Sequence, residues 1–138
     1  MAEREPLTII KLWNFFLLPL QGDITDELAD RLRHEVLASI AEQGAEGLII
    51  DVTGVWMIDS HLCSVISTIA ASARLMGTTS IVCGMSSDIA LTLQAMGVQL
   101  EAVRTALTVE EAFRLVGVGR TTTAVQPERK QGRARRKR

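Results

Sequence analysis

From Thr25 to Gln43 an apolar residue returns every fourth position, at Leu28, Leu32, Val36 and Ile40. Ala29, Leu37 and Ala41 widen that stripe, while Asp30, Arg31, His34 and Glu42 are left for solvent, the pattern of a surface helix lying on a sheet. The run Leu48-Ile49-Ile50-Asp51-Val52 is short, β-branched and almost wholly apolar, which predicts a central strand covered on both faces. From Ser60 to Met76 the positions Leu62, Val65, Ile66, Ile69, Ala73 and Met76 again follow a helical stripe. Ser80 to Cys83 reads as another strand, far enough from Leu48 for a β-α-β crossover and hence parallel pairing.

A third helix is predicted from Ser87 to Met96, a weak strand from Leu100 to Ala106, and a fourth helix starting at Thr108, whose hydroxyl and Glu111 make a capping box. Gly44, Gly77 and Gly97 each close an amphipathic stretch as helix C-caps do. At the front, Leu7 to Trp13 and Phe15 to Leu20 are two apolar runs hinged at Asn14, which predicts an antiparallel hairpin joined to a parallel sheet. The expected class is α/β, with a mixed sheet of four to five strands and about four helices in the order β-β-α-β-α-β-α-β-α.

The length of 138 residues, 47% hydrophobic and 22% charged, suits one domain. The net charge of −1 conceals a division. Up to Gly119 there are 7 basic against 15 acidic residues, and from Arg120 onward 8 against 1. The expected division is a folded domain at 1–119 and a basic, disordered tail at 120–138, ending in the run Arg133-Ala134-Arg135-Arg136-Lys137-Arg138. The early apolar stretch Leu12 to Leu20 is broken by Asn14 and Pro19 and too short to span a bilayer, with no basic leader before it, so a soluble cytoplasmic protein is expected.

Chemistry narrows by elimination. Neither phosphate-cradling glycine loop occurs, so no nucleotide cofactor is expected. His34 and His61 have no acid or cysteine at ligand spacing, and Cys63 and Cys83 match no zinc or redox motif, which removes metals and leaves two buried thiols. Asp59, Ser60 and His61 carry the residue types of a hydrolase triad. As neighbours opening a helix they fan about 100° apart and cannot act in series, so an enzyme is not expected.

The unusual segment is Asp51 to Ser60, DVTGVWMIDS, where a buried strand runs into a loop carrying Trp56 and Met57. With Asp59 as the N-cap, the Ser60 hydroxyl is left facing outward beside an apolar loop that a partner could cover.

That Asp-Ser pair after V-W-M-I, the strand L-I-I-D-V, the phrase A-R-L-M-G at Ala73 to Gly77 and I-A-L-T-L-Q-A-M-G at Ile89 to Gly97 together resemble STAS domains of the anti-sigma-factor antagonist class. Within it the chain is most similar to the RsbS branch, the small antagonists of the bacterial stressosome. The resemblance covers roughly residues 5 to 118. It implies a STAS fold, a phosphoacceptor at Ser60, an RsbT-type serine kinase that binds and phosphorylates this surface, a cognate phosphatase, RsbR-type co-antagonists, and membership with further copies of itself in a large assembly. Asp59, Ser60, His61 and Ser64 are the expected partner-binding residues. Two departures stand out. Ser60 is followed by His61 and Leu62 where the wider class reads D-S-[ST]-G-L, and Thr25 stands in Gly22-Asp23-Ile24-Thr25 where the family commonly has aspartate.

The basic tail supports a rival reading as a nucleic-acid-binding or other scaffold protein, because eight positive charges could neutralise several phosphates. Against it, the tail offers no interleaved aromatics for stacking and the chain contains no tyrosine.

Overall fold

The computed structural model describes residues 7–95 and 103–116. The elements are β1 (Ile10–Leu12), β2 (Phe15–Gly22), α1 (Asp26–Gln43), β3 (Gly47–Val55), α2 (Ser60–Leu75), β4 (Thr79–Cys83), α3 (Ser87–Ala95), β5 (Arg104–Ala106) and α4 (Val109–Val116). They form one five-stranded sheet in the order β1-β2-β3-β4-β5. β1 pairs antiparallel with β2 through Leu12↔Phe15, and the other neighbours are parallel. The hairpin turns at Trp13-Asn14, with Trp13 at φ 55°, a conformation that costs a non-glycine residue about 1–2 kcal/mol.

Alternation along the strands sends successive side chains to opposite faces. Phe16, Leu18, Leu48, Ile50 and Val82 pack with the buried residues of α1, α2 and α3, whereas Phe15, Ile49, Ile81 and Cys83 pack with Ala112 and Val116 of α4. β3, in the middle of the sheet, is apolar on both faces for this reason. Gly47 at its start is where α4 crosses closest. A methyl group there would stand 2.7 Å from Val116 Cβ and 2.8 Å from Phe15 Cδ1.

One irregularity shapes the far end of β3. The register moves from Pro19↔Asp51 to Gln21↔Gly54, so β3 spends one more residue than β2 over this step, as in a β-bulge. The parity of β3 therefore flips. Leu48, Ile50 and Val52 face the α1–α2 core at intervals of two, and the next residue to join that core is Val55, three further on. Gly54 permits the close approach, since a Cβ there would lie 3.1 Å from Gln21 Cγ and 3.3 Å from the Leu20 carbonyl oxygen.

Several expectations need adjustment. Met76 does not continue the buried stripe of α2; the helix ends at Leu75, and Met76 is the exposed C-cap. Ala41 is exposed as well, because the buried face of α1 narrows to Ile40 in its last turn. The return bond of the Thr108 box comes one residue early, with Leu107 N–H donating to Glu111 Oε1 at 3.0 Å while Glu111 N–H donates to Thr108 Oγ1. Gly44 is the C-cap of α1 at φ 76°, and Gly77 follows the C-cap of α2 at φ 90°. Met96, Gly97, the start of the expected Leu100–Ala106 strand and the tail at 120–138 lie outside the described residues.

Ser80, on the core-facing side of β4, is 3% exposed, and its hydroxyl has no hydrogen-bond partner among the described residues. Ser80→Ala removes that buried, unpaired group and is expected to raise stability by about 1 kcal/mol. Gly47→Ala overfills the crossing with α4 and is expected to cost about 1–3 kcal/mol. Urea unfolding of both variants against the parent chain checks the two signs together.

Candidate functional site

Because β2 to β5 run parallel and each leads directly into a helix, the starts of α1, α2, α3 and α4 gather at the carboxyl ends of the strands. Each start has free backbone N–H groups, and each is capped by the side chain of the residue just before it, which accepts from the N–H three residues on. Thr25 Oγ1 accepts from Leu28 N–H at 3.1 Å, Asp59 Oδ1 from Leu62 N–H at 2.8 Å, Ser86 Oγ from Ile89 N–H at 3.2 Å and Thr108 Oγ1 from Glu111 N–H at 3.1 Å. Thr25, the departure in the second-strand phrase, thus serves here as the cap of α1.

Asp59 being spent on the cap, Ser60 opens α2 as an exposed residue whose hydroxyl has no partner among the described residues. Ser64, one turn on, is also exposed, while Leu62, Cys63, Val65 and Ile66 are buried. His61 leans the other way. Its Nε2 lies 3.2 Å from Asp30 Oδ1 of α1, both side chains being about half exposed, so this histidine does have an acidic neighbour that the linear spacing hides. Among the described residues no group of three or more potential ligands gathers to hold a metal.

The bulge determines what stands beside Ser60. Val55 turns inward, Trp56 N–H is held by the Gly22 carbonyl at 3.2 Å, and the Trp56 and Met57 side chains are 79% and 65% exposed. Ile58, 4% exposed, anchors the loop from below. Between this loop and α3 lies a shallow groove of about 120 Å³ lined by Trp56, Met57, Ile58, Asp88, Ile89 and Thr92. Leu91 of α3 is 67% exposed nearby in sequence. The α3 side of the groove has no motif to announce it, because Ile89 and Thr92 look like ordinary positions of an amphipathic helix.

The same end of the molecule is acidic. Asp23, Asp26 and Glu27 stand at the start of α1, Asp59 at α2, Asp88 at α3, and Glu110 and Glu111 at α4. Among the described residues no lysine or arginine lies in these connecting loops or in the first turn of these helices. Carboxylates there suit the positive ends of the helix dipoles.

On the α4 face, Asp51 Oδ1 accepts from Thr53 N–H at 3.0 Å and from Thr53 Oγ1 at 2.6 Å. Burial, then the charge of Asp51, its hydrogen bond and the charge of Glu110 push the Cys83 thiol up to about 11. Burial and then the Asp59 carboxylate raise Cys63 too. Both cysteines are free and buried, and protonated thiols of this kind are poor nucleophiles at neutral pH.

A β-β-α-β-α-β-α-β-α chain with this mixed sheet and a serine at the start of the helix after the central strand matches the family model described as STAS domain over residues 8–112, and the chain belongs to that family. It is 28% identical over 101 residues to the RsbT co-antagonist protein RsbRA of Bacillus subtilis (strain 168), an alignment covering 73% of this chain and 37% of that protein. The chain therefore corresponds to well under half of this curated relative. In structure it resembles a serine-to-glutamate variant of Moorella thermoacetica RsbS, with a TM-score of 0.71 and 24% identity over 81% of this chain and 95% of that one. A chain from a structure entitled "Molecular architecture of the stressosome, a signal integration and transduction hub" gives a TM-score of 0.66 at 24% identity, covering 79% and 95%. These are likenesses of fold. No described helix is long and apolar enough to cross a membrane.

Asp59→Ala removes the α2 cap and is expected to cost about 1 kcal/mol in urea unfolding, with Asp59→Asn losing less. The raised Cys83 thiol keeps its proton in the folded state where an unfolded thiol gives it up. Stability is thus whole below the ordinary value of 9.0 and is expected to fall as pH rises from there to about 11. Unfolding measured across that window should show a shallower decline in Cys83→Ala, and the absence of tyrosine keeps this alkaline limb free of phenol titration.

Proposed function

We propose that this chain is a non-enzymatic, cytoplasmic antagonist of the stressosome type, which holds an RsbT-type serine kinase on the Ser60 end and releases it once that kinase has phosphorylated Ser60. The carrying observation is the division of labour at the start of α2. Asp59 satisfies the helix N–H, so the Ser60 hydroxyl is exposed and uncommitted. The name of the RsbRA relative supports a role in an RsbT pathway. The fold likeness to RsbS and to a stressosome chain supports placement with RsbR-type co-antagonists and further copies of itself in a large assembly, reset by a cognate phosphatase.

Ser60, Ser64 and His61 with the Trp56–Met57 loop form the kinase-docking surface in this reading, and the chemistry needs no cofactor. Exposed Trp56 and Met57 supply the apolar contact that interface anchors require. Phosphate adds a charge of about −1.5 to −2. The helix start accommodates it through its dipole and free N–H groups. A kinase surface fitted to a neutral hydroxyl and to apolar neighbours must instead desolvate a dianion next to the Asp59 carboxylate.

The test is kinase affinity and phosphosite mapping on Ser60→Ala and Ser60→Asp. Ser60→Ala is expected to bind about as well as the parent chain and to accept no phosphate, and Ser60→Asp to bind about 5- to 150-fold more weakly. Equal affinity for all three, with no phosphate on Ser60, rejects the proposal. Trp56→Ala is expected to weaken kinase binding by more than about tenfold while leaving the melting temperature unchanged, because the removed side chain contributes contact surface and little core.

A further inference from the structure

We infer that the Ser60 end has a second occupant, the chain's own arginine-rich segment Arg133–Arg138, which docks there in cis. Seven carboxylates stand in the loops and first helical turns at this end, with no lysine or arginine among the described residues of those segments. In their midst an exposed indole, Trp56, flanks an open groove whose far wall carries Asp88. An exposed indole that shares a groove with Asp88, at the end where the other carboxylates stand, is a surface for guanidinium groups, which stack on tryptophan and pair bidentately with carboxylates. The chain supplies them, because Arg133–Arg138 contains four arginines and one lysine, and residues from Arg120 onward carry a net +7.

The connection is of suitable length. α4 starts at the acidic end and finishes against the start of β3, where Val116 meets Gly47, so the chain leaves the described residues at the opposite end of the molecule. α1, with 18 residues, measures that separation at about 27 Å. Residues 117–132 number sixteen, and a chain of that length has a maximum reach above about 50 Å, more than the separation to be crossed. An end group tethered within reach of its site meets it at a raised effective concentration, so modest affinity suffices.

The consequence deepens the function proposed above and rests on it in one respect. Phosphate on Ser60 adds to the charge that attracts the arginines while it repels a partner fitted to the neutral hydroxyl. The tail would cover the phosphorylated surface and compete with kinase rebinding. Docking on the unmodified acidic end does not depend on Ser60 being a phosphoacceptor.

The experiment compares amide chemical shifts of the full chain with those of a full chain in which Arg133, Arg135, Arg136, Lys137 and Arg138 are replaced by glutamine. Docking in cis predicts differences concentrated at residues 56–62, 86–92 and 109–111, unchanged on dilution, and lost at about 1 M NaCl, where the Debye length is about 3 Å. Differences confined to the tail, or spread over the opposite end, overturn the inference. Differences that fade on dilution assign the tail to a second copy and overturn docking in cis. In the Ser60→Glu background the tail-dependent differences are expected to persist to higher salt, and an unchanged salt midpoint overturns the coupling to Ser60. A kinase indifferent to Ser60 would reject the function proposed above and leave the tail-dependent shifts of the unmodified chain in place, so the two failures are separable.

Discussion

The first backbone N–H groups of an α-helix have no partner within the helix, and a sheet whose strands each lead straight into a helix collects that deficit at one end. Here four helix starts meet at the carboxyl ends of β2 to β5. Thr25, Asp59, Ser86 and Thr108 each return one acceptor, at 2.8 to 3.2 Å. What lies between those caps is the candidate site. The residue after Asp59 is functional in this reading because the residue before it has already met the structural demand.

The second determinant is the bulge in β3. A regular strand continuing from Val52 would have sent position 54 to the core and position 55 to the α4 face. The extra residue sends Val55 to the core, so the loop leaves the sheet with Trp56 and Met57 in solvent and only Ile58 underneath. Gly54 is the residue that lets β3 approach β2 closely enough for this. The exposed aromatic beside Ser60 is thus a product of register.

Much of this was legible in the chain. Four-residue spacing located α1 and α2 within a residue or two, and the Asn14 hinge identified the hairpin. The order Asp59-Ser60 before a helical stripe told the cap from the exposed hydroxyl. Those features are local, and local rules cover them. The His61–Asp30 contact joins residues 31 apart, and nothing in either helix's periodicity sets the rotation that brings them together. The bulge was hidden because Gly54 in a strand has many readings. The exposure of Met76 and Ala41 was missed because periodicity says which face a residue is on and does not say where the covering sheet ends.

The polarity of the whole molecule follows from the same topology. Carboxylates accumulate where helix dipoles are positive, so a fold with all its helix starts on one side becomes acidic on that side without any demand from a partner. Lys11, Arg74 and Arg114 lie in elements or turns toward the other end, while Arg31 and Arg33 stand in the second turn of α1 and Arg104 pairs with Ile81 midway along β4. An anion added at Ser60 meets a favourable dipole from its own helix and an unfavourable field from its carboxylate neighbours. The first acts along the backbone within one turn, and the second extends over about a Debye length into the space a partner would occupy. The same modification is therefore tolerated by the fold and felt at the surface, which is the asymmetry a reversible docking switch requires.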